Sequence, residues 1–415
     1  MAQLTMLPAI TTLSLFVVPL SESLGVSRAE VSLMYTTSAF TAIFIALAVG
    51  FVLKKVSPKV VVVIGGVSVL IFLMALSFSD SMPLIWAAGC LKGVAGIASG
   101  MTMAQIVLSQ WFHKGRGTIL SFVPVMQGLF GAIANPLFAR FIETYGYRPV
   151  AFWEAVVFGG MIILIGIFCI EGAPEKIGYK PYGYEEHTPA AAPAAENTEA
   201  KKAVIHVPGL SIGQIVSFPA FWAILIATTF ASLAAQAFGS QGSPYFQSIG
   251  LTAVEAAVAL SAFNIGGIGW NLLYGVVNDK FGTSIATLIN GTSFALALLL
   301  AYVWNGMTMA MICAVMLGAQ GALTSTLGPV TATRLFGTKE AGLMVGWIRA
   351  FSSVGSMLGP VLAGFMFDRT GNYSACYTII GVGIVIAVAI ALWANSKSTQ
   401  IKVQAKIHVK MAAGQ

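Results

Sequence analysis

Residues 171–213, EGAPEKIGYKPYGYEEHTPAAAPAAENTEAKKAVIHVPGLSIG, are the long polar stretch in an otherwise apolar chain. The stretch holds Pro174, Pro181, Pro189, Pro193 and Pro208, an Ala/Pro/Glu tract and the adjacent Lys201 and Lys202. Proline fixes φ and removes a backbone donor, and this mixture reads as a flexible linker. On its amino side lie apolar runs at roughly 2–20, 30–53, 59–79, 83–111, 117–142 and 149–170. On its carboxyl side lie runs at roughly 214–241, 252–278, 284–303, 307–333, 341–367 and 373–395. A bilayer crossing needs ~20 apolar residues. The linker therefore divides twelve expected spans six and six.

Composition supports the same reading. The chain has 415 residues, 57% hydrophobic and 9% charged. A soluble domain carries about 25% charged residues, so lipid is the second solvent that hides this apolar surface. The expected fold is an all-α membrane protein of twelve transmembrane helices, arranged as two six-helix pseudo-repeats. Its expected parts are an amino-terminal bundle over 1–171, a linker over 172–213, a carboxyl-terminal bundle over 214–396 and a tail over 397–415. The first run has no charged leader and reads as a span, not a signal peptide. Cys90, Cys169, Cys313 and Cys376 sit in or beside apolar runs without paired spacing, so no disulfide framework is expected. No His-Cys or His-Glu cluster suggests a metal, and no cofactor is expected.

Positive residues favour the cytoplasmic side. With the amino terminus inside, the inner segments hold Lys54, Lys55, Lys59, Lys114, Arg116, Lys176, Lys180, Lys201, Lys202, Lys280, Arg334, Lys339, Lys397, Lys402, Lys406 and Lys410, sixteen of the 22 basic residues. The outer segments hold Arg28, Arg140, Arg148 and Arg369, and both termini are expected to be cytoplasmic. The net charge of +7 is spread over loops, which suits anionic lipid and not nucleic acid.

The halves echo each other. At a shift of 225 residues Glu30 meets Glu255 and Gly50 meets Gly275. At a shift of 224, Phe112 meets Phe336, Gly131 meets Gly355, Pro136 meets Pro360 and Phe141 meets Phe365. The segment from Glu143 to Gly146 likewise matches that from Asp368 to Gly371. Such repeats mark secondary transporters, whose solute site lies at the repeat interface near the midplane.

Gly275-Val-Val-Asn-Asp279-Lys280-Phe-Gly282 resembles the Gly-x-x-x-Asp-Arg/Lys-x-Gly loop of the major facilitator superfamily. In that family the loop follows spans two and eight. The first copy here departs from the pattern, with Lys54 where the acid is expected. A narrower resemblance is to the oxalate/formate antiporter-like and monocarboxylate-porter-like group. It rests on Trp111-Phe112-His-Lys-Gly-Arg116-Gly117, on the Pro174–Gly183 segment and on Gly25-Val-Ser-Arg-Ala-Glu30. The resemblance implies a bacterial inner membrane and a likeness to carriers that bind a substrate carboxylate with a basic residue in span eleven. Dicarboxylate carriers of the group have an arginine where Asn271 stands here, which points away from a dianion.

An ionisable group inside a span is expensive and is a functional candidate by default. Arg349 lies about eight residues into span eleven, with Ser352, Ser353 and Ser356 on its face. Its planar fork matches a carboxylate; the bland alternative is a side chain that snorkels to the membrane edge. Lys92 lies deep in span four beside a stripe of Gly89, Gly93, Gly96 and Gly100. The further substrate-binding candidates are Tyr35, Asn264, Asn271, Gln127 and Trp347, with Gln105, Gln236 and Gln320 among the polar residues weighed beside them. For each of these, helix packing competes with substrate contact. Gly275, Asp279, Lys280, Gly282 and Lys54 are the loop candidates for gating. No Asp or Glu falls at the centre of an expected span, and Glu154 is the deepest. The expected function is therefore secondary transport of a small organic anion, a mono- or small dicarboxylate, by a monomer. Coupling is expected to be anion exchange or proton symport. The alternatives are a carrier for a neutral solute or drug, and a transporter-like substrate sensor. An enzyme would need a nucleophile–base pair or metal cluster, and the sequence offers neither.

Overall fold

The computed structural model describes residues 11–112, 116–170, 212–301, 303, 306–336 and 340–396. Most of the linker, the expected tail and the centre of the Trp-Phe-x-x-x-Arg-Gly segment lie outside the described residues, as does the side chain of Lys54. Ten described helices are long and apolar enough to cross a membrane, and two shorter apolar stretches, Leu13–Leu24 and Thr283–Leu299, fill the places of spans one and nine. The twelve-span, two-repeat reading of the sequence holds. Helices close their own backbone hydrogen bonds, which is what a span surrounded by hydrocarbon requires. Ile133, Phe168 and Ile379 stand exposed on the outside of the bundle, where acyl chains would cover them.

The repeat is written into the helix ends. Span two (Arg28–Lys55) opens on a capping box: Ser27 Oγ accepts from the Glu30 amide at 3.2 Å, and the Glu30 carboxylate accepts from the Ser27 amide at 2.9 Å. Span eight (Ala253–Phe281) opens on the same device, made by Thr252 and Glu255 at 3.3 and 2.8 Å. Each box satisfies amides that the helix leaves free. Gly146 and Gly371, at equivalent turns of the two halves, have φ of 81° and 71°; only glycine enters that region without strain.

Some spans are broken. Span four is Met82–Ala98 followed by Met101–Trp111, and span ten is Met307–Leu317, Gln320–Ser325 and Leu327–Phe336. Span six passes through a π turn at Ala155–Gly159. Beside it Glu154 is buried, and its carboxylate accepts from Thr12 Oγ1 at 2.7 Å.

Within each half, glycines bring backbones together. A Cβ on Gly93 would strike the Ser38 carbonyl of span two, and a Cβ on Gly359 would strike the Leu233 carbonyl of span seven (Pro219–Ser248). Between halves, span two packs on span eleven (Ala341–Thr370), where a Cβ on Gly364 would lie 2.8 Å from the Ala29 Cα. Span five (Arg116–Tyr145) packs on span eight, where a Cβ on Gly131 would lie 2.9 Å from the Asn264 amide.

Between described residues of the two halves, hydrogen bonds join Arg28–Thr36 of span two to the second half. Asp368 accepts from the Arg28 and Ala29 amides at 3.1 and 3.0 Å, so a carboxylate of the second half grips the start of a first-half helix. Such an end carries free amides and a partial positive charge. Beside it a ring closes: Arg28 Nη1 donates to Tyr373 Oη, which donates to Gln241 Oε1; Gln241 Nε2 donates to Ser32 Oγ, which donates to the Arg28 carbonyl. Thr36 Oγ1 donates to the Met357 carbonyl at 2.9 Å. The molecule is thus fastened at the Asp368 end, on its span two–span eleven side. At the same end, Glu143 is the counterpart of Asp368. It makes no such bond to span eight among the described residues and instead lines a cavity of about 540 Å³ with Glu22, Tyr147 and Gln247.

Candidate functional site

Arg349 lies in the first third of span eleven and lines a cavity of about 270 Å³ formed by spans seven, ten and eleven. It is exposed in the bare protein, as are Gln236 and Asn271. Its guanidinium takes no part in an ion pair among the described residues, whose one salt bridge joins Arg148 to Asp80 at the outer surface. The other lining groups are Ser232, Ala235 and Gln236 of span seven, Gln320, Gly321 and Thr324 of span ten, and Ser352, Ser353 and Ser356 of span eleven. No carboxylate is among them. The cavity therefore presents one uncompensated positive charge surrounded by neutral polar groups, an arrangement that suits an anion.

The serines at i+3, i+4 and i+7 from Arg349 are on the wall as helical spacing requires. Ser353 Oγ donates back to the Arg349 carbonyl at 2.9 Å. Ser232 and Thr324 escaped sequence reading. Each lies four residues from a glutamine of the same cavity, Gln236 and Gln320, and that i, i+4 polar pairing was the available signal.

Other candidates fall elsewhere. Asn271 stands against the wall, since a Cβ on Gly321 would lie 2.6 Å from its Nδ2, but its amide donates to the Gly267 carbonyl at 2.7 Å. Asn264 donates to the Leu260 carbonyl at 2.8 Å and packs across the halves on Gly131. Gln127 is half-buried on span five and is not on the cavity wall. Trp347 also stands away from the wall: it stacks on Phe351 with centroids 6.2 Å apart and meets Trp222 and Phe221 in an aromatic cluster. Lys92 and Tyr35 form a separate group in the first half. Lys92 Nζ lies 3.5 Å from Ser38 Oγ and 5.3 Å from the centre of the Tyr35 ring, and the Tyr35 hydroxyl is buried without a hydrogen-bond partner.

The loop after span eight turns at Gly282, with φ of 90°. Asn278 anchors it by accepting from Thr283 Oγ1 at 2.9 Å, and Arg334 of span ten reaches Thr283 at 3.5 Å. Asp279 and Lys280 are exposed there, and nothing lies within 4 Å of a Cβ on Gly275.

A family model described as Major Facilitator Superfamily matches residues 1–289 and 224–410. The chain belongs to the Major Facilitator Superfamily. Among curated relatives it is similar to the oxalate:formate antiporter of Oxalobacter formigenes, 24% identical over 382 residues that cover 91% of this chain and 85% of that protein. It is also similar to monocarboxylate transporter 13 of Rattus norvegicus, 24% identical over 334 residues that cover 79% of this chain and 71% of that one. Among solved structures, the nucleoside transporter NupG superposes with a TM-score of 0.71 at 12% identity, covering 95% of this chain and 97% of that one. An inward-facing bacterial homologue of the lysosomal transporter Spinster gives 0.61 at 17% identity, with 96% of each chain covered. These likenesses place the fold and the group suggested by the sequence motifs. The chain is an integral membrane protein of a transporter family, and its small-molecule cargo is a separate question.

Proposed function

We propose that this protein is a secondary active carrier of a small organic anion, working by alternating access as an anion exchanger or proton-linked symporter. The observation that carries the reading is Arg349, a cation of span eleven without a carboxylate partner among the described residues, on the wall of a polar cavity. At 4 Å a substrate carboxylate gains about 4 kcal/mol from it at an effective dielectric of 20. The two low-identity relatives named for oxalate, formate and monocarboxylates support the same cargo class.

Lys92, with Ser38 and Tyr35, is the cation of the opposite half, and the reading gives it a second contact with the anion when the halves close around it. The clasp at Asp368 and the exposure of Arg349 support reading this state as one open at the Asp279 end. The bias of positive residues supports a cytoplasmic side for that end and for both termini, and this reading puts the carrier in a bacterial inner membrane.

Uptake of labelled carboxylates into proteoliposomes tests the reading. Wild-type protein is expected to take up at least one mono- or dicarboxylate. Arg349→Ala is expected to reduce that uptake by about a hundredfold or more, and Arg349→Lys to keep a fraction of it, since Lys retains the charge but not the fork. Uptake unchanged by Arg349→Ala contradicts the assignment.

A further inference from the structure

The wall around Arg349 carries information beyond charge. Of its ten residues, seven bear a neutral hydroxyl or amide, and the remaining uncharged pair are Ala235 and Gly321. The cavity of about 270 Å³ is larger than a two-carbon acid requires. An alkyl chain entering it would strip water from these hydroxyls and amides without replacing their hydrogen bonds.

The polarity also has a direction. Ser353 Oγ spends its hydrogen on the Arg349 carbonyl. Thr324 Oγ1 spends its hydrogen on the Gln320 and Gly321 carbonyls, both at 3.1 Å. These hydroxyls therefore offer a ligand lone pairs. Gln320 Oε1 is a further acceptor, buried without a partner, and Ser352 Oγ is likewise buried and unpartnered. A second carboxylate accepts only, so it leaves these acceptor atoms unpaired, and no second cation among the described residues lines the wall to balance its charge. A hydroxyl group both donates and accepts, and suits these atoms.

We infer that the cavity selects a monocarboxylate carrying several hydroxyl groups, an anion of the sugar-acid type, with its carboxylate on Arg349 and its hydroxyls on Gln320 and Ser352. The inference rests on the anion-carrier reading above and narrows it. A site built to hydrogen-bond hydroxyls discriminates strongly against an analogue that lacks them, because its own polar groups are then left unpaired.

Calorimetric titration of the purified full-length protein with D-gluconate, hexanoate, adipate and sorbitol tests it. D-Gluconate is expected to bind about tenfold or more tightly than hexanoate or adipate, and sorbitol to bind not at all. Gln320→Leu and Ser352→Ala are each expected to weaken D-gluconate by about tenfold while leaving hexanoate unchanged or tighter. That change of ratio is one that mere loss of folded protein does not produce. If hexanoate or adipate matches or exceeds D-gluconate in the wild type, the hydroxyl inference is wrong and the anion reading stands. If sorbitol binds as well as D-gluconate and Arg349→Ala alters neither, the anion reading is wrong as well. Binding of none of the three anions overturns both.

Discussion

Asp368 shows how much one carboxylate can do without an ionic partner. It takes two backbone amides from the first turn of a helix in the other half, where free N–H groups and the helix dipole both favour a negative charge. A hydrogen bond to a charged group is worth about 1.5–3 kcal/mol, enough to shift the ratio of sealed to open molecules about tenfold or more. Asp368→Asn is therefore expected to raise labelling of a Thr36→Cys variant, lacking the native cysteines, by an impermeant maleimide applied at the Asp368 end. Glu143→Gln, at the equivalent outer turn, is expected to leave it unchanged, because Glu143 holds no amides of span eight. Equal labelling of the Asp368→Asn and parent proteins would show that the seal does not depend on this carboxylate. Arg349 was legible in the sequence because a charge in an apolar run has no cheap explanation. Its serines followed from helical spacing. Asp368 and Gln241 were not, since their partners are a backbone amide and a hydroxyl in the other half, hundreds of residues away. Trp347 misled because a tryptophan in an aromatic cluster and one on a cavity wall have the same sequence context.

At the scale of elements, the glycine stripe of span four reads evenly in sequence and unevenly in space. Gly89 and Gly93 lie against span two, where a Cβ would strike backbone or Thr37, while Gly96 has nothing within 4 Å. The stripe stops being coaxial at Ser99 and Gly100, where the helix breaks. Gly93→Val is expected to destabilise the protein by about 1–3 kcal/mol through overpacking, and to lower the thermal midpoint accordingly. Gly96→Ala is expected to leave the midpoint unchanged within error. A similar midpoint for both variants would mean that spans two and four do not meet at Gly93. Hydropathy found most spans to within a few residues because burial in lipid imposes length and apolarity together; span seven, expected over 214–241, instead runs Pro219–Ser248. It did not find the breaks in spans four and ten or the π turn of span six. Those depend on how a helix is met by its neighbours, which no local pattern records.

For the whole molecule, the repeat makes two similar bundles, and the contacts make them unequal. Matching capping boxes open spans two and eight, yet a carboxylate grips only the first of these helices from the opposite half. The polar cavity belongs to the second half, and the Lys92 group to the first. An anion held between Arg349 and Lys92 would link the halves across the midplane, as alternating access requires. Counterflow in proteoliposomes tests this account most directly. Vesicles loaded with an unlabelled carboxylate that the protein binds are placed in a trace of the same labelled anion. The account predicts transient accumulation of label by the wild type, and its loss in Arg349→Ala. Accumulation that survives Arg349→Ala, or binding without any counterflow in the wild type, would contradict it.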